Sequence, residues 1–296
     1  MNRRAFVAGG LSSVIAKNFI SREGADFSFV HFTDVHIEDE LQAGTYTRRC
    51  FEQINGYNPA FSISGGDLVF DANAVSRERA EYLFELYVET EKLLQMPVHH
   101  AIGNHDLYGT RPKGMRFTQD PLYGKGMFEA RIGETYYSFG HKGWHFVVLD
   151  SVTLDTQGDY FGLVGEDQLE WLEADLRRSG KDTPTVITTH IPLVTGFLQY
   201  GDLTPMLPYD QLVIRNSRNV CDLLSTYSIK AVLQGHTHIC ESVIYKELQY
   251  ITTGAVCGNW WKGPRLGFPE GFTLLKIHED RIAAEYVPYD KKLNRI

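Results

Sequence analysis

Short apolar strands alternate with amphipathic helices through the first 235 residues, and this alternation limits the fold more than any other feature. Five strands are predicted at FSFVHF (27–32), AFSIS (60–64), VHHAI (98–102), TVITT (185–189) and KAVLQ (230–234). Helices are predicted at 47–54, 76–95, 166–178 and 209–227, where apolar residues recur with the helical period. A hairpin at 135–150 and a run of late strands after GHTH complete the pattern. The chain is therefore predicted to form one α/β domain with two sheets faced by helices.

The composition is that of an ordinary globular protein, with 43% hydrophobic and 22% charged residues in a chain of 296. A chain of this length buries a full core without disulfides or structural metals, so any bound metal is expected to be functional. The net charge of −8 argues against a protein that coats nucleic acid or lies on a membrane surface. A small anionic substrate is still compatible with this charge, because bound cations reverse the local field.

Four cysteines are present, Cys50, Cys221, Cys240 and Cys257, and none forms a C-x-x-C motif. A zinc ribbon or a thioredoxin-like site is therefore excluded. Buried thiols are the expectation. The alternative is a Cys240–Cys257 disulfide, which requires an exported protein.

The N-terminal segment 1–25 begins MNRRAFVAGGLSSVIAKNF and resembles a twin-arginine export signal. Arg3 and Arg4 precede a weakly apolar run, and 14–16 offers a cleavage site. The run is about a dozen residues, too short to span a bilayer of roughly 30 Å, so membrane insertion is not expected. An exported, periplasmic protein is predicted, and the alternative is a cytoplasmic protein with an ordinary helical N-terminus. Residues 26–296 would then form the folded domain.

Five of the predicted strands end in the same kind of polar motif. In chain order these motifs are D-x-H (Asp34, His36), G-D (Asp67), G-N-H-D (Asn104, His105, Asp106), His190 and G-H-T-H (His236, His238). The carboxyl ends of strands in open α/β sheets lie along one edge, where ligands bind. One such residue is usually a turn former, whereas all five motifs in order predict a shared site.

Carboxylate, imidazole and amide ligands together suit manganese, iron or zinc and suit calcium poorly. The set is too large for one tetrahedral ion. It matches two metals about 3.5–4 Å apart that share one carboxylate, an arrangement that supports in-line displacement at phosphorus. The predicted cofactors are therefore two divalent or mixed-valence transition metal ions.

The ordered motifs resemble those of the calcineurin-like metallophosphoesterase superfamily over residues 27 to about 240. The resemblance implies a four-layer α/β/β/α sandwich of two mixed sheets flanked by helices, with a dinuclear centre. It implies two ligand groups with Asp67 shared between them: Asp34, His36, Asp67 and His238 for the first metal, and Asp67, Asn104, His190 and His236 for the second. Gly235 is expected to allow the tight turn that leads into the two histidines of GHTH.

The resemblance also implies catalytic roles. His105 would contact the phosphate and protonate the leaving oxygen. Asp106 would accept a hydrogen bond from the other ring nitrogen of His105 and fix its tautomer. A metal-bridging hydroxide would be the nucleophile in an in-line attack. Gly66-Asp67-Leu68-Val69-Phe70 lacks the tyrosine that purple acid phosphatases carry three residues after this aspartate, which disfavours an iron–tyrosinate site.

The fold and the metal ligands are shared across many phosphoesters and do not choose the substrate. The compact length and GHTH resemble the class III cyclic nucleotide phosphodiesterase branch, which favours a small phosphorylated diester. A phosphomonoesterase, a protein phosphatase and a catalytically silent metal-binding scaffold of the same fold are the alternatives. A nuclease is disfavoured because no basic stretch is present.

Three long segments carry little regular pattern, 107–134, 191–208 and 254–270, and are expected to shape the pocket. The last contains Trp260 and Trp261, which fit a substrate wall and simple packing equally well. Lys262 and Arg265 follow in the same segment as candidates for contact with an anion. The other histidines, and Asp150 at the end of an apolar strand, are not assigned to the site.

Overall fold

The computed structural model describes residues 26–110, 118–200 and 209–289. The segment 1–25, with its twin-arginine motif, lies outside the described residues, so the export signal stays a prediction. None of the helices in the described ranges combines the length and the apolar character that crossing a bilayer requires.

The described residues form strands and helices at nearly all of the predicted places. The strands are β1 (Phe27–Phe32), β2 (Ser62–Ser64), β3 (Val98–His100), β4 (Tyr137–His141), β5 (Trp144–Val148), β6 (Val152–Leu154), β7 (Tyr160–Gly162), β8 (Thr185–Thr188), β9 (Ile229–Gln234), β10 (Glu241–Tyr245), β11 (Leu248–Thr252), β12 (Gly271–His278) and β13 (Arg281–Pro288). The helices are α1 (Ala43–Gly56), α2 (Arg77–Glu91), α3 (Gly126–Arg131), α4 (Glu166–Ser179), α5 (Phe197–Tyr200), α6 (Tyr209–Leu212) and α7 (Ser217–Leu224), with a 3₁₀ turn at Asn104–Asp106.

Two large mixed sheets form the centre of the molecule. One has five strands in the order β13-β12-β1-β2-β3, and the other has six in the order β10-β11-β9-β8-β5-β4. Strands β1, β2 and β3 run parallel to one another, as do β5, β8, β9 and β11. Their carboxyl ends therefore lie at one edge of each sheet, where the predicted ligands follow them.

Alternate residues of each central strand face different layers. In β1, Phe29 packs between the sheets, where its ring lies 5.3 Å from that of Phe146 in β5. Phe32 faces the other side and packs on Phe51 of α1 at 5.2 Å. Because side chains in a strand alternate, both faces of this strand are apolar, as expected for a sheet covered on both sides. The predicted four-layer arrangement of two sheets flanked by helices is confirmed.

The predicted helix at 209–227 is interrupted, and this part of the prediction is wrong. Residues 213–216 leave the helix, and Ile214 forms a bridge to Gly162 at the end of β7. The N–H of Arg215 donates to the Gly162 carbonyl at 2.8 Å rather than to Gln211 within a helix. A side chain at Gly162 would lie 2.7 Å from the Val213 carbonyl, so only glycine permits this approach. The break leaves the Gln211 carbonyl free, as at any helix end.

Buried His31 in β1 gives a prediction for acid stability. Burial lowers the pKa of His31 to about 3, although Asp34 opposes this, while Nδ1 is hydrogen-bonded to Thr253 at 2.8 Å. Below pH 6.5 His31 binds a proton in the unfolded chain but stays neutral in the folded protein. The free energy of unfolding therefore decreases as the pH falls from 6.5 toward 3. Two pH units below the unfolded pKa this costs roughly 2–3 kcal/mol.

The variant His31→Asn keeps a hydrogen-bonding group near the position of Nδ1 and does not titrate. Its free energy of unfolding in urea should fall less between pH 7 and pH 4.5 than that of the wild type. Equal losses in the two proteins would show that His31 does not contribute to acid sensitivity.

Candidate metal centre and its cavity

The structure brings all seven predicted metal ligands together at the carboxyl ends of the strands. These ends belong to both sheets: β1, β2 and β3 in the five-stranded sheet, and β8 and β9 in the six-stranded sheet. The predicted ligands are Asp34, His36, Asp67, Asn104, His190, His236 and His238. All are buried except His236, which is half-buried.

Asp67 lies in the middle of the cluster. Its Oδ2 atom is 3.4 Å from His36 Nε2 and 3.2 Å from His190 Nε2. Its Oδ1 atom accepts a hydrogen bond from the N–H of His105 at 2.8 Å, which fixes the carboxylate plane. One oxygen atom is therefore shared by two groups of ligands.

The first group contains Asp34, His36 and His238. Asp34 Oδ1 lies 3.2 Å from His238 Nε2 and 4.0 Å from His36 Nε2, and the two imidazole nitrogens are 3.2 Å apart. The Thr33 hydroxyl and the N–H of His236 donate to Asp34 Oδ2 at 2.8 and 3.0 Å. These donors turn the carboxylate so that Oδ1 faces the two histidines.

The second group contains Asn104, His190 and His236. His190 Nε2 lies 3.2 Å from Asn104 Oδ1, the same distance that separates it from Asp67. His236 offers a ring nitrogen within 4.8 Å of the ligand atoms of Asp67 and His190. The two groups therefore have Asp67 in common, which is the division that the family resemblance implies.

Main-chain carbonyls orient the four ligand imidazoles. A carbonyl oxygen only accepts hydrogen bonds, so the ring nitrogen that faces it carries a proton, and in the neutral imidazole the other nitrogen presents a lone pair to the cluster. The four contacts are His36 Nδ1 to Phe70 at 3.4 Å, His190 Nδ1 to Gly65 at 2.8 Å, His236 Nε2 to Gln211 at 2.8 Å, and His238 Nδ1 to Gly258 at 2.6 Å. Gln211 supplies the carbonyl that the end of α6 leaves free.

This donor set fits transition metal cations. Imidazole lone pairs, two carboxylates and one amide oxygen converge within hydrogen-bond distance of one another, and such an arrangement is repulsive without positive charge between the groups. Nitrogen and oxygen donors of this mixture suit manganese, iron and zinc. The seven ligands divide around Asp67 into two sets, each large enough for one ion.

The pKa shifts in the cluster report the same need for positive charge. Burial lowers the pKa of His190, but Asp67 and Asp34 outweigh it and raise the value to about 9. Burial also opposes the charge of Asp67, yet His190, His105 and His36 hold the pKa of that carboxyl well below its usual range. Burial and the neighbouring His190 lower the pKa of His236 to about 4. The carboxylates of the cluster are therefore ionised, and they attract either protons or metal ions to the histidines.

Five of the seven ligands have a left-handed backbone, which non-glycine residues seldom adopt. Their φ angles are 54° at Asp34, 45° at His36, 53° at Asp67, 72° at His236 and 57° at His238. Such conformations cost free energy and persist only where surrounding contacts enforce them. Their concentration at this edge of the sheets marks it as a functional site.

Glycines allow the ligand segments to lie close together. A side chain at Gly103 would overlap the backbone nitrogen and the carboxylate of Asp67. A tight turn follows Gly235, where the N–H of Thr237 donates to the Gly235 carbonyl at 2.8 Å, but the φ of Gly235 is not positive and the turn alone does not require a glycine. A side chain there would instead overlap the Thr33 hydroxyl and lie 2.9 Å from Asp34 Oδ2, so close packing of β9 on the Asp34 loop explains this glycine.

Replacing Gly103 with alanine should disrupt the centre. The added methyl group pushes on Asp67, and we expect a loss of about 1–3 kcal/mol in stability together with reduced metal binding. Gly44 in α1 is the matched control, since an added methyl group has no atom within 4 Å there. Gly44→Ala should be neutral or stabilising by about 0.5–1 kcal/mol. Thermal unfolding and metal analysis of both variants check this, and equal behaviour would contradict it.

The predicted hydrogen bond from the His105 ring to the Asp106 carboxylate is not formed. Its carboxylate accepts hydrogen bonds from four backbone N–H groups, while Nδ1 of His105 is buried without a partner among the described residues. The four donors are Asp67 at 3.0 Å, Leu68 at 2.8 Å, Val69 at 3.3 Å and Gly103 at 2.9 Å. Asp106 therefore connects the Asp67 segment to the segment that carries Asn104 and His105, and it positions these residues relative to one another.

A cavity of about 300 Å³ opens beside the ligands. Ligand residues, His105 and Thr237 form part of its lining. Tyr160, Phe197, Leu212, Trp260 and Arg265 form the rest. Of the three long segments expected to shape the pocket, 191–208 supplies Phe197 and 254–270 supplies Trp260 and Arg265.

The two neighbouring tryptophans have different roles. The Trp260 indole is half-buried and lies against the histidines, with ring centroids 4.1 Å from His36 and 4.9 Å from His105. Trp261 is buried, and its Nε1–H donates to the His36 carbonyl at 2.8 Å. Trp260 is thus a wall of the cavity, and Trp261 holds the D-x-H segment in place. Lys262 is exposed and is not among the residues that line the cavity.

The unassigned polar residues have structural partners. Asp150 accepts from Lys125 at 2.5 Å and from the N–H of Val152 at 3.0 Å. Histidines outside the cluster also form pairs, His100 with Glu91, His145 with Asp175 and His278 with Asp26. All four cysteines are free thiols, so the alternative of a Cys240–Cys257 disulfide is not seen.

Comparisons with known proteins agree with this geometry. Residues 27–240 match the family model of the calcineurin-like phosphoesterases. The chain is 22% identical over 273 residues to a Rhodococcus erythropolis protein named "Probable cyclic nucleotide phosphodiesterase", covering 88% of this chain and 82% of that protein. It is 24% identical over 259 residues to a serine/threonine-protein phosphatase of Bos taurus, covering 86% and 75%. Among solved structures, a dimetal phosphatase from Danio rerio superposes with a TM-score of 0.64 at 17% identity, covering 88% of this chain and 95% of that one.

Proposed function

The chain belongs to the calcineurin-like phosphoesterase family, and from this premise we propose that it is a two-metal enzyme that hydrolyses a small phosphodiester. Membership makes it a metal-dependent phosphoesterase. The observation that carries the two-metal proposal is the position of Asp67 Oδ2, 3.4 Å from His36 in one ligand group and 3.2 Å from His190 in the other. A carboxylate oxygen shared in this way is what two neighbouring cations require.

Two bound cations would supply Lewis acidity toward the phosphoryl oxygens and lower the pKa of water at the site. Asp34, His36 and His238 would hold one of them, and Asn104, His190 and His236 the other, with Asp67 between. Because Thr33, Asp106 and the main-chain carbonyls fix these ligands before substrate binds, little reorganisation accompanies the reaction. Manganese, iron and zinc are the metals that this donor set favours.

His105 is the proposed general acid. It lines the cavity beside Asp67 and Asn104, and its ring lies 4.8 Å from that of His36. Water gives up one proton to solvent as its oxygen bonds to phosphorus opposite the leaving oxygen. The bond between phosphorus and the leaving oxygen breaks, and its electron pair stays on that oxygen. The His105 ring donates a proton to the leaving oxygen and then regains one from solvent.

The cavity favours a small ester over the alternatives. Its volume of about 300 Å³ is at the lower end of the range for small-molecule sites. Arg265 is the only lysine or arginine among its described lining residues, which suits the single charge of a diester. A phosphomonoesterase and a protein phosphatase, the activity in the name of the Bos taurus relative, are the alternatives. A silent scaffold would not need the acid His105, which this chain keeps.

Initial rates on bis-p-nitrophenyl phosphate and p-nitrophenyl phosphate test this proposal. The protein is stripped of metal and reloaded with manganese, and metal content is measured beside the rates. We expect at least about tenfold higher kcat/KM for the diester, with two equivalents of metal bound. A preference for the monoester would identify a phosphatase, and full metal content without hydrolysis of either ester would identify a scaffold.

A further inference from the structure

The apolar part of the cavity lining comes from separate segments of the chain. Tyr160 lies in β7, Phe197 in α5, Leu212 in α6, and Trp260 in the segment after β11. Phe197 and Leu212 form a small apolar cluster with Ile239, distinct from the two main cores. Tyr160 belongs to the larger core cluster, so Phe197 and Leu212 are the residues of this wall that pack outside it.

Trp260 connects the wall to the metal ligands. Its indole centroid lies 4.1 Å from the His36 ring and 5.3 Å from the His238 ring, so it covers these ligands on the cavity side. Its φ of 53° is left-handed, a conformation that costs free energy at a bulky residue. A half-buried aromatic ring held in this way, against three histidine rings, is poorly explained by packing alone.

We propose that Trp260, Phe197, Leu212 and Tyr160 form a specificity site for the ester group of the substrate, and that this site takes a planar aromatic or heteroaromatic group. The inference rests on the proposed function, because it places the phosphoryl group at the ligands and the ester group against the wall. Aromatic side chains bind planar rings by stacked and edge-to-face contacts that add to apolar burial. Arg265 supplies N–H donors and a planar cation at the same cavity.

The size of the cavity limits the ester group further. About 300 Å³ accommodates one phosphoryl group with one small ring system. The same volume is too small for a folded phosphoprotein surface to enter. The favoured substrate is therefore a small phosphoester of an aryl or nucleobase-bearing alcohol rather than a phosphorylated protein.

Calorimetric titration of the manganese-loaded protein with phenylphosphonate and methylphosphonate tests the inference. Both compounds carry one phosphoryl group and one substituent, and neither is hydrolysed, so the readout does not depend on activity. The wild type should bind phenylphosphonate at least about tenfold more tightly, the factor expected when a buried ring replaces a methyl group. The variants Trp260→Ala and Phe197→Ala should lose most of this preference.

Two control variants separate recognition from disruption of the metal centre. Trp260→Phe keeps a ring and should keep most of the preference. Tyr245→Ala removes an aromatic side chain that is 43% exposed on β10 and should leave the preference unchanged. Metal content is measured for every variant because the Trp260 ring contacts the predicted ligands His36 and His238. Phe197 is not among the described ring contacts of Trp260, so Phe197→Ala changes the wall without removing those contacts.

Equal affinity of the wild type for the two phosphonates would overturn the inference, as would failure of both to bind. Retention of the preference by both alanine variants would also overturn it. Failure of the proposed function gives a different result, because the metal-loaded wild type would then hydrolyse no phosphoester.

Discussion

Replacing Asp67 with asparagine is expected to lower kcat/KM for bis-p-nitrophenyl phosphate by roughly a thousandfold or more. The substitution keeps the shape of the side chain and removes the charge that lies between His36 and His190. Because Asp67 Oδ2 is the ligand oxygen shared by both described ligand groups, its negative charge would be lost to both proposed cations, and the repulsion between them would rise. Metal content should fall below two equivalents, with activity and metal lost together.

Asp222→Asn is the matched control, because this carboxylate lies on α7 with 48% of its side chain exposed and pairs with Lys246. It should leave metal content and rate unchanged. Full activity in the Asp67 variant would refute the shared-ligand role. Loss of activity with two metals still bound would mean that Asp67 acts on substrate rather than on metal.

Replacing His105 with asparagine should reduce kcat by about a hundredfold to ten-thousandfold while metal content stays unchanged. The His105 ring lines the cavity, and its backbone N–H rather than its ring bonds to Asp67, so asparagine preserves that contact. A general acid matters most when the leaving oxygen is basic. The defect should therefore be large for alkyl esters and small for p-nitrophenyl esters, whose leaving group needs no proton.

Comparison of rates across a series of leaving groups checks this role. A uniform loss for all leaving groups would assign His105 to phosphate binding instead of proton transfer. His278→Asn is the matched control, because that side chain is 72% exposed and pairs with Asp26 far along the chain. It should behave as the wild type with every ester.

The ligands could be predicted from the sequence because their positions follow from two general rules. Apolar runs such as 27–32 and 230–234 predict strands, and parallel strands end at one edge of a sheet. The side chains after those strands, Asp34 and His236 among them, then converge whatever the details of the loops. Their residue types carry the chemistry, so the sequence predicts the class of site as well as its place.

The groups that orient the ligands could not be predicted in the same way. Carbonyls such as those of Gly65 and Gln211 belong to the backbone, and residue type does not reveal which of them meets an imidazole. The family resemblance predicts a hydrogen bond between the Asp106 carboxylate and the His105 ring. Four nearby backbone N–H groups donate to that carboxylate instead. The break in the helix at 209–227 escaped prediction because its apolar period continues through 213–216, and only pairing with distant Gly162 ends it.

The end of α6 joins the metal centre to the cavity wall through adjacent residues. The carbonyl of Gln211 binds His236, and the next residue, Leu212, lines the cavity. A shift of this helix end would displace a predicted ligand and a wall residue together, so we expect metal binding and ester recognition to be coupled. By linkage the coupling would be reciprocal: a metal that moves His236 would move the wall, and an ester that holds the wall in place would strengthen binding of that metal. Substrate preference in this protein is thus expected to depend on which metal is bound.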